Sequence, residues 1–210
     1  LTPVSQDHYF STEPATPSRP ATARLILPDR TLELATDRGV FAHRHIDRGT
    51  EILLRTIPAP PGGALLDLGC GYGAIAVTVA LRASDATVWA VDINRRALEL
   101  CRLNASTAGA KNVIATEPDD VPDDQRFAAI YSNPPVHSGK ETLHVMLDTW
   151  LRRLQPGGRA YLVVQRHLGS DTLARWLTEQ GYSVDRLRSR TGYRVFDIHA
   201  NAKTRQDESS

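Results

Sequence analysis

Ala64-Leu65-Leu66-Asp67-Leu68-Gly69-Cys70-Gly71-Tyr72-Gly73 is the stretch whose reading decides the fold. Residues 64–69 form a short apolar run, the pattern of a strand buried on both faces. Glycines then recur at 69, 71 and 73, and the apolar stretch Ala74–Leu81 opens behind them as a helix. Glycines between a strand and a helix let the backbone turn sharply and approach a ligand closely. The helix start adds free N–H groups that face the turn.

Working outward, the same alternation repeats. Strands are expected at 87–92, 112–116, 127–133 and 159–165, and helices at 95–108, 141–154 and 171–180, the last closed by Gly181. Gln155-Pro156-Gly157-Gly158 reads as a turn. The final runs, SVDRLRSR and YRVFDIHA, flank Thr191-Gly192 as a hairpin. Repeated strand–helix–strand units imply a parallel sheet with helices on both faces. Upstream, residues 24–27 and 31–35 read as a hairpin around Pro28-Asp29-Arg30. Asp47 reads as the cap of a helix that ends before Pro58. The expected organisation is a lead-in with hairpin and helix over residues 1–60, one catalytic domain over 61–200, and a disordered tail over 201–210.

Composition bounds the function. The chain has 210 residues, room for one α/β domain, with 41% hydrophobic and 23% charged residues. No apolar run reaches 18 residues and the N-terminus has no apolar signal region, so a cytoplasmic protein is expected. The two cysteines, Cys70 and Cys101, suit reduced thiols better than a disulfide framework. His43 and His45 alternate, but no third ligand stands at metal spacing, so no metal is expected. Net charge is +1, which demands no nucleic-acid partner. The charge is unevenly spread, however: residues 151–194 carry nine arginines against Asp171, Glu179 and Asp185. That half suits either phosphate binding or plain solvated surface.

Two constellations carry chemistry. The first is the glycine turn together with Asp92, which ends the second strand where an acid can accept from ribose hydroxyls. A glycine turn alone also suits NAD and other nucleotides. The GxGxG spacing, the acid two residues before it and the closing hairpin favour S-adenosylmethionine. The second is Ser132-Asn133-Pro134-Pro135 after the fourth strand of the sheet, at its carboxyl edge. Asn before Pro is held extended, and the two prolines stiffen the backbone beyond it. The Asn133 side-chain oxygen and the Pro134 carbonyl then make a rigid pair of acceptors for a planar NH₂ group. An ordinary Asx-Pro turn is the plain alternative.

DLGCGYG resembles the signature of class I methyltransferases, and NPP resembles the amino methyltransferases acting on adenine N6, guanine N2 or a protein glutamine. Taken with TDRGVFAHRHIDRGTEILL (36–54), SNPPVHSGKETLH (132–144), GGRAYLVVQRHLGSDTLARWL and TGYRVFDI, nearly the whole chain resembles the compact RsmC-type small-domain methyltransferases. HYFS (8–11) is similar to their lead-in. The resemblance implies a Rossmann-like α/β fold: a seven-stranded, mostly parallel sheet with a C-terminal antiparallel hairpin. It implies S-adenosyl-L-methionine as cofactor, held by Asp67, Gly69, Gly71, Gly73, Asp92, Ile93, Glu117 and Asn133. Asp119 and Asp120 compete with Glu117 for the adenine amino group. Asn133, Pro134 and Pro135 become the catalytic segment, and Phe41, Asp47, Val136 and Gln165 the substrate wall. Val136 replaces the aromatic residue that many NPP enzymes carry, leaving Phe41, Tyr72 and Tyr193 as candidates to stack on a substrate. Lys140, Arg166 and His167 are further candidates, each with a surface reading beside it. Phe41 reads equally as core and Asp47 as a helix N-cap.

The implied activity is methylation of the exocyclic N2 of a guanine in 16S rRNA by a monomer, on rRNA or the assembling small ribosomal subunit. Methylation of a protein glutamine or a small amine is the alternative. A cofactor-binding protein without catalysis is a third reading, disfavoured by the intact Asp67, Asp92 and NPP.

Overall fold

The computed structural model describes residues 17–42, 45–135 and 139–200. HYFS, His43, Val136 and the 201–210 tail therefore lie outside the described residues.

Chain order gives β1 (Ala21–Ile26), β2 (Thr31–Thr36), α1 (Arg48–Leu54), β3 (Ala64–Leu68), α2 (Ala74–Arg82), β4 (Thr87–Val91), α3 (Arg95–Ala108) and β5 (Val113–Thr116). Then come β6 (Phe127–Ser132), α4 (Lys140–Leu151), β7 (Leu154–Gln165), α5 (Ser170–Glu179), β8 (Tyr182–Arg190) and β9 (Tyr193–Ala200). Strands β5-β4-β3-β6-β7-β9-β8 form one sheet in that order. The first five pair in parallel; β9 runs antiparallel to both β7 and β8. This is the expected seven-stranded, mostly parallel sheet with a closing hairpin. The chain leaves β3 toward β4 on one side and later returns to β6 on the other. A crevice therefore opens above β3 and β6, at the carboxyl ends of the strands.

The strands read as near-continuous apolar runs because both faces are covered. One face packs Leu65, Val88, Ala129, Val163 and Val195 against α1, α2 and α3. The other packs Leu66, Ile130, Leu162 and Phe196 against α4 and α5. The β1–β2 hairpin packs against α3. Asn104 of α3 accepts from the Ala35 amide at 2.7 Å and donates to the Ala35 and Tyr72 carbonyls, both at 2.8 Å. Arg82 of α2 clamps the hairpin turn through Asp29 at 2.8 Å and reaches the Leu54 carbonyl at 2.8 Å. These bonds tie the lead-in to the sheet domain.

One expected element changes. Gln155–Gly158 is not a turn before a strand but part of β7, which begins at Leu154 opposite Phe127. The pairing register shifts between Phe127 and Ala129, so the Pro-Gly-Gly segment is absorbed as an irregularity in the strand. A Cβ on Gly158 would stand 2.9 Å from the Phe127 carbonyl oxygen, so only glycine fits that close approach. The closing hairpin turns at Thr191 (φ 48°) and Gly192 (φ 83°), the doubly left-handed geometry of a two-residue hairpin turn. Among the described residues, no helix is long and apolar enough to cross a membrane.

Candidate active site

A cavity of about 810 Å³ occupies the crevice above β3, β4 and β6. Its walls bring together Gly69, Gly71, Asp92, Ile93, Asn133, Pro134 and Pro135. Phe41, Asp47, Tyr72, Gln165 and Tyr193 line the same space. Residues from seven separate stretches of the chain thus line one space.

The glycine turn sits at the floor. The Gly69 and Cys70 amides donate to the Val91 carbonyl at 2.8 and 3.0 Å, bending the chain from β3 across the end of β4. Gly69 and Gly71 have φ of 74° and 53°, and beyond their chain neighbours no protein atom lies within 4 Å of where a Cβ would stand. Open space at both positions makes a cradle that a ligand can press against. Gly73 has a different task. Its missing Cβ would meet Cys101 Sγ at 2.6 Å, so it lets α2 and α3 pack closely and stays off the cavity wall.

Asp92 follows β4. Its Oδ2 accepts from the Gly71 amide at 2.8 Å and its Oδ1 from the Asn94 amide at 2.9 Å. Burial nevertheless pushes its carboxyl above the usual range. The carboxylate lines the cavity, where a hydroxyl can donate to it. Asn94 caps α3 through the Ala97 amide at 3.2 Å and donates to the Gly39 carbonyl at 3.1 Å. That bond holds the Gly39–Phe41 segment at the cavity mouth. Phe41 is 39% exposed there, a ring on a wall and not in the core.

Asp67 lies beneath the turn, 1% exposed and outside the cavity lining. Its Oδ2 accepts from the Ala76 amide at 2.9 Å, whereas Oδ1 is buried with no hydrogen-bond partner. Burial pushes its carboxyl up to about 8. Glu117 is also off the wall. It pairs with Arg95 at 2.9 Å, while its neighbour Pro118 lines the cavity.

At the other end of the cavity, Asp47 caps α1 by accepting from the Thr50 amide at 3.0 Å. The same Oδ1 accepts from Asn133 Nδ2 at 2.7 Å, and Thr50 Oγ1 accepts from it at 3.1 Å. A carboxylate offers only acceptors, so it faces the NH₂ end of Asn133 and leaves the amide oxygen uncommitted. Asp47 is therefore a helix cap that also lines the cavity. Gly49 allows this assembly: a Cβ there would stand 2.9 Å from Asp47 Oδ1 and 2.9 Å from Tyr193 Cε1. Tyr193 in turn accepts from Gln165 Nε2 through its hydroxyl at 2.9 Å.

The sequence reasoning missed Thr50, Met146, Trp150 and Val163 on the wall. Thr50 carried a signal, being the third residue of a capped helix. Met146 and Trp150 stand four apart on α4, and that spacing equally describes a core stripe. Lys140 is the exposed first residue of α4, and Arg166 and His167 are exposed just beyond β7. Among the described residues, no three His, Cys, Asp or Glu side chains converge as a metal site would require.

The site fits S-adenosylmethionine. The open cradle at Gly69 and Gly71 suits a chain laid over the turn, and the Asp92 lone pairs suit ribose hydroxyls. Asp67, buried beneath the turn, holds the Ala76 amide and so fixes the start of α2 under that cradle.

The comparisons with known proteins agree. The family model described as methyltransferase small domain matches residues 31–197. The uncharacterized protein YbxB of Bacillus subtilis is 31% identical over 193 residues, covering 90% of this chain and 96% of its own. Ribosomal RNA small subunit methyltransferase C of Pseudomonas aeruginosa is 36% identical over 175 residues. That match covers 74% of this chain and 52% of the relative, so the chain spans about half the length of that protein. Among solved structures, the T. thermophilus 16S rRNA N2 guanine methyltransferase RsmC, in complex with AdoMet and guanosine, superposes with a TM-score of 0.73 at 23% identity. It covers 88% of this chain and 52% of the other. Sequence, sheet order and site together place the chain in the methyltransferase small-domain family of class I, S-adenosylmethionine-dependent methyltransferases.

Proposed function

We propose that this protein methylates the exocyclic N2 of a guanine in small-subunit rRNA. One observation carries the amino-group part: Asn133, ahead of two prolines at the end of β6, has its NH₂ end tied to Asp47 and Thr50 inside the cavity. Its amide oxygen and the Pro134 carbonyl are then two fixed acceptors. An amine conjugated to a purine ring has a poorly available lone pair. Two acceptors on its N–H bonds hold the nitrogen in place and favour the pyramidal geometry it needs as a nucleophile. The cofactor, when bound, supplies an electrophilic methyl on a sulfonium. The nitrogen can shed its extra proton to water after transfer, so no strong general base is required. Phe41, Tyr72 and Tyr193 are the aromatic walls against which a planar base could stack.

The guanine part is supported by the kinship to the Pseudomonas aeruginosa rRNA methyltransferase, with the nine arginines of residues 151–194 suiting an RNA partner. A cytoplasmic, monomeric enzyme acting on rRNA or the assembling subunit is part of the same reading. The near-neutral net charge of +1 favours a second reading, methylation of a protein glutamine or a small amine. Labelled S-adenosylmethionine, offered with total RNA and total protein from cells lacking this gene, separates the two. Label in small-subunit rRNA is expected; label confined to protein or to small molecules would discard the rRNA substrate.

A further inference from the structure

The cavity does not end at β7. Gln165 pairs across the sheet with Tyr193, and Tyr193 with Arg190. Val163 likewise pairs with Val195, and Val195 with Arg188. Cross-strand partners share a face of the sheet. Two rows therefore run from residues of the cavity wall to two arginines on the outer strand, β8. Two strand spacings put Arg190 on the order of 10 Å from Gln165.

Both arginines are exposed, and neither is in an ion pair among the described residues. Arg186, lower on the same strand, is paired with Asp171 at 3.5 Å. Arg194 of β9 pairs with the same carboxylate. The unpaired charges thus stand where the strand reaches the cavity end. Arg166 is exposed beside them, its amide donating to the Gly192 carbonyl at 2.7 Å in the hairpin turn. Arg48, the first residue of α1, is exposed next to Asp47. At the opposite edge of the sheet, after β5, residues 117–124 hold Glu117, Asp119, Asp120, Asp123 and Asp124 with no basic residue in that stretch, Glu117 pairing with Arg95 and Asp123 with Arg153. Six strand spacings put the two edges on the order of 29 Å apart.

A net charge of +1 therefore hides an uneven spread of charged residues across the sheet. We infer that the β8 edge is an RNA-backbone docking surface. Arg188 and Arg190, with Arg166 and Arg48 beside them, hold the phosphates that flank the target nucleotide, while the acidic loop after β5 keeps the strand from lying across the cofactor side. Charged residues on an edge strand also discourage sheet-to-sheet pairing, but that task asks for no placement in rows continuous with the cavity. Phosphate contacts of this kind orient the RNA without reading its sequence. The inference rests on the proposed rRNA substrate.

The test uses the full chain, a small-subunit rRNA transcript, and the variants Arg188→Ala/Arg190→Ala and Arg188→Lys/Arg190→Lys. Binding of the transcript is measured against salt concentration, and S-adenosylmethionine affinity is measured alongside. The alanine pair should bind RNA at least tenfold more weakly near 0.15 M salt. Its slope of log K against log salt should fall by roughly 1.4–1.8, for two lost phosphate contacts. The rise should appear in the KM for rRNA more than in kcat, with cofactor affinity unchanged, and the lysine pair should recover most of the binding. A wild type that methylates rRNA beside an alanine pair with unchanged RNA affinity and salt slope overturns the docking surface alone. A wild type that methylates no RNA removes the rRNA reading and this surface with it.

Discussion

Asn133 Nδ2 lies 2.7 Å from Asp47 Oδ1, joining the end of β6 to the first residue before α1 across 86 positions of sequence. The same carboxylate oxygen caps the helix through the Thr50 amide. Helix position and amide orientation are thus set by one atom. The amide oxygen of Asn133 stays available as an acceptor because its NH₂ end is spoken for.

Asn133→Ala should therefore leave cofactor affinity intact and abolish transfer. Asp47→Ala removes a charge-assisted hydrogen bond worth about 1.5–3 kcal/mol, so kcat should fall roughly 10- to 100-fold. It should also cost about 1 kcal/mol of stability through the lost cap. Asp47→Asn keeps an acceptor in the same place and should recover most of kcat. Steady-state kinetics together with thermal melts read both effects; equal kcat in Asp47→Ala and wild type would detach Asp47 from Asn133.

Asp92 holds the Gly71 and Asn94 amides and faces the cavity. Asp92→Ala should weaken S-adenosylmethionine binding by about 10- to 100-fold, the size of one lost charge-assisted bond. Calorimetric titration checks this, and retained affinity would move the ribose contact elsewhere.

Gly73 combines φ of 88° with a Cβ position 2.6 Å from Cys101 Sγ. Gly73→Ala should lose about 2–4 kcal/mol from left-handed strain plus overpacking. Gly73→Ala with Cys101→Ala should recover only the part due to the Sγ clash, since the Cβ of residue 101 stays 3.2 Å away. Chemical denaturation of the three proteins measures the split; a neutral Gly73→Ala would contradict the close approach.

Asp67 binds its proton more tightly when folded than when unfolded. Between the ordinary value of 3.8 and about 8, the folded state holds the extra proton, so stability falls as pH rises through that window. Below it the contribution is complete. Asp67→Asn has no proton to lose and should flatten this part of the curve. Melting temperatures from pH 5 to 9 in wild type and Asp67→Asn test the sign; parallel curves would assign Asp67 an ordinary ionisation.

Much of this was legible in the sequence because buried parallel strands and amphipathic helices differ in period and length. Arg95–Ala108 begins at its Asn94 cap and stops at Gly109, whose φ is 74°. The crevice residues Gly69, Gly71, Asp92 and Asn133 were placed by strand ends, since a doubly wound sheet gathers those ends in one place. The strand through Pro156-Gly157-Gly158 was not legible, because local turn chemistry was overridden by pairing with β6. Nor was the packing task of Gly73, which depends on Cys101, 28 positions away. Nor was the ion pair of Glu117 with Arg95, which joins the residue after β5 to the start of α3, 22 positions away, and holds Glu117 off the cavity wall.

The most direct test of the central claim is nucleoside analysis of small-subunit rRNA from cells that lack this gene, complemented with wild type or with Asn133→Ala. One N2-methylguanosine should vanish on deletion, return with wild type and stay absent with Asn133→Ala. An unchanged N2-methylguanosine content in the deletion strain would contradict the rRNA substrate, and its return with Asn133→Ala would contradict the amide as the group that positions the amine.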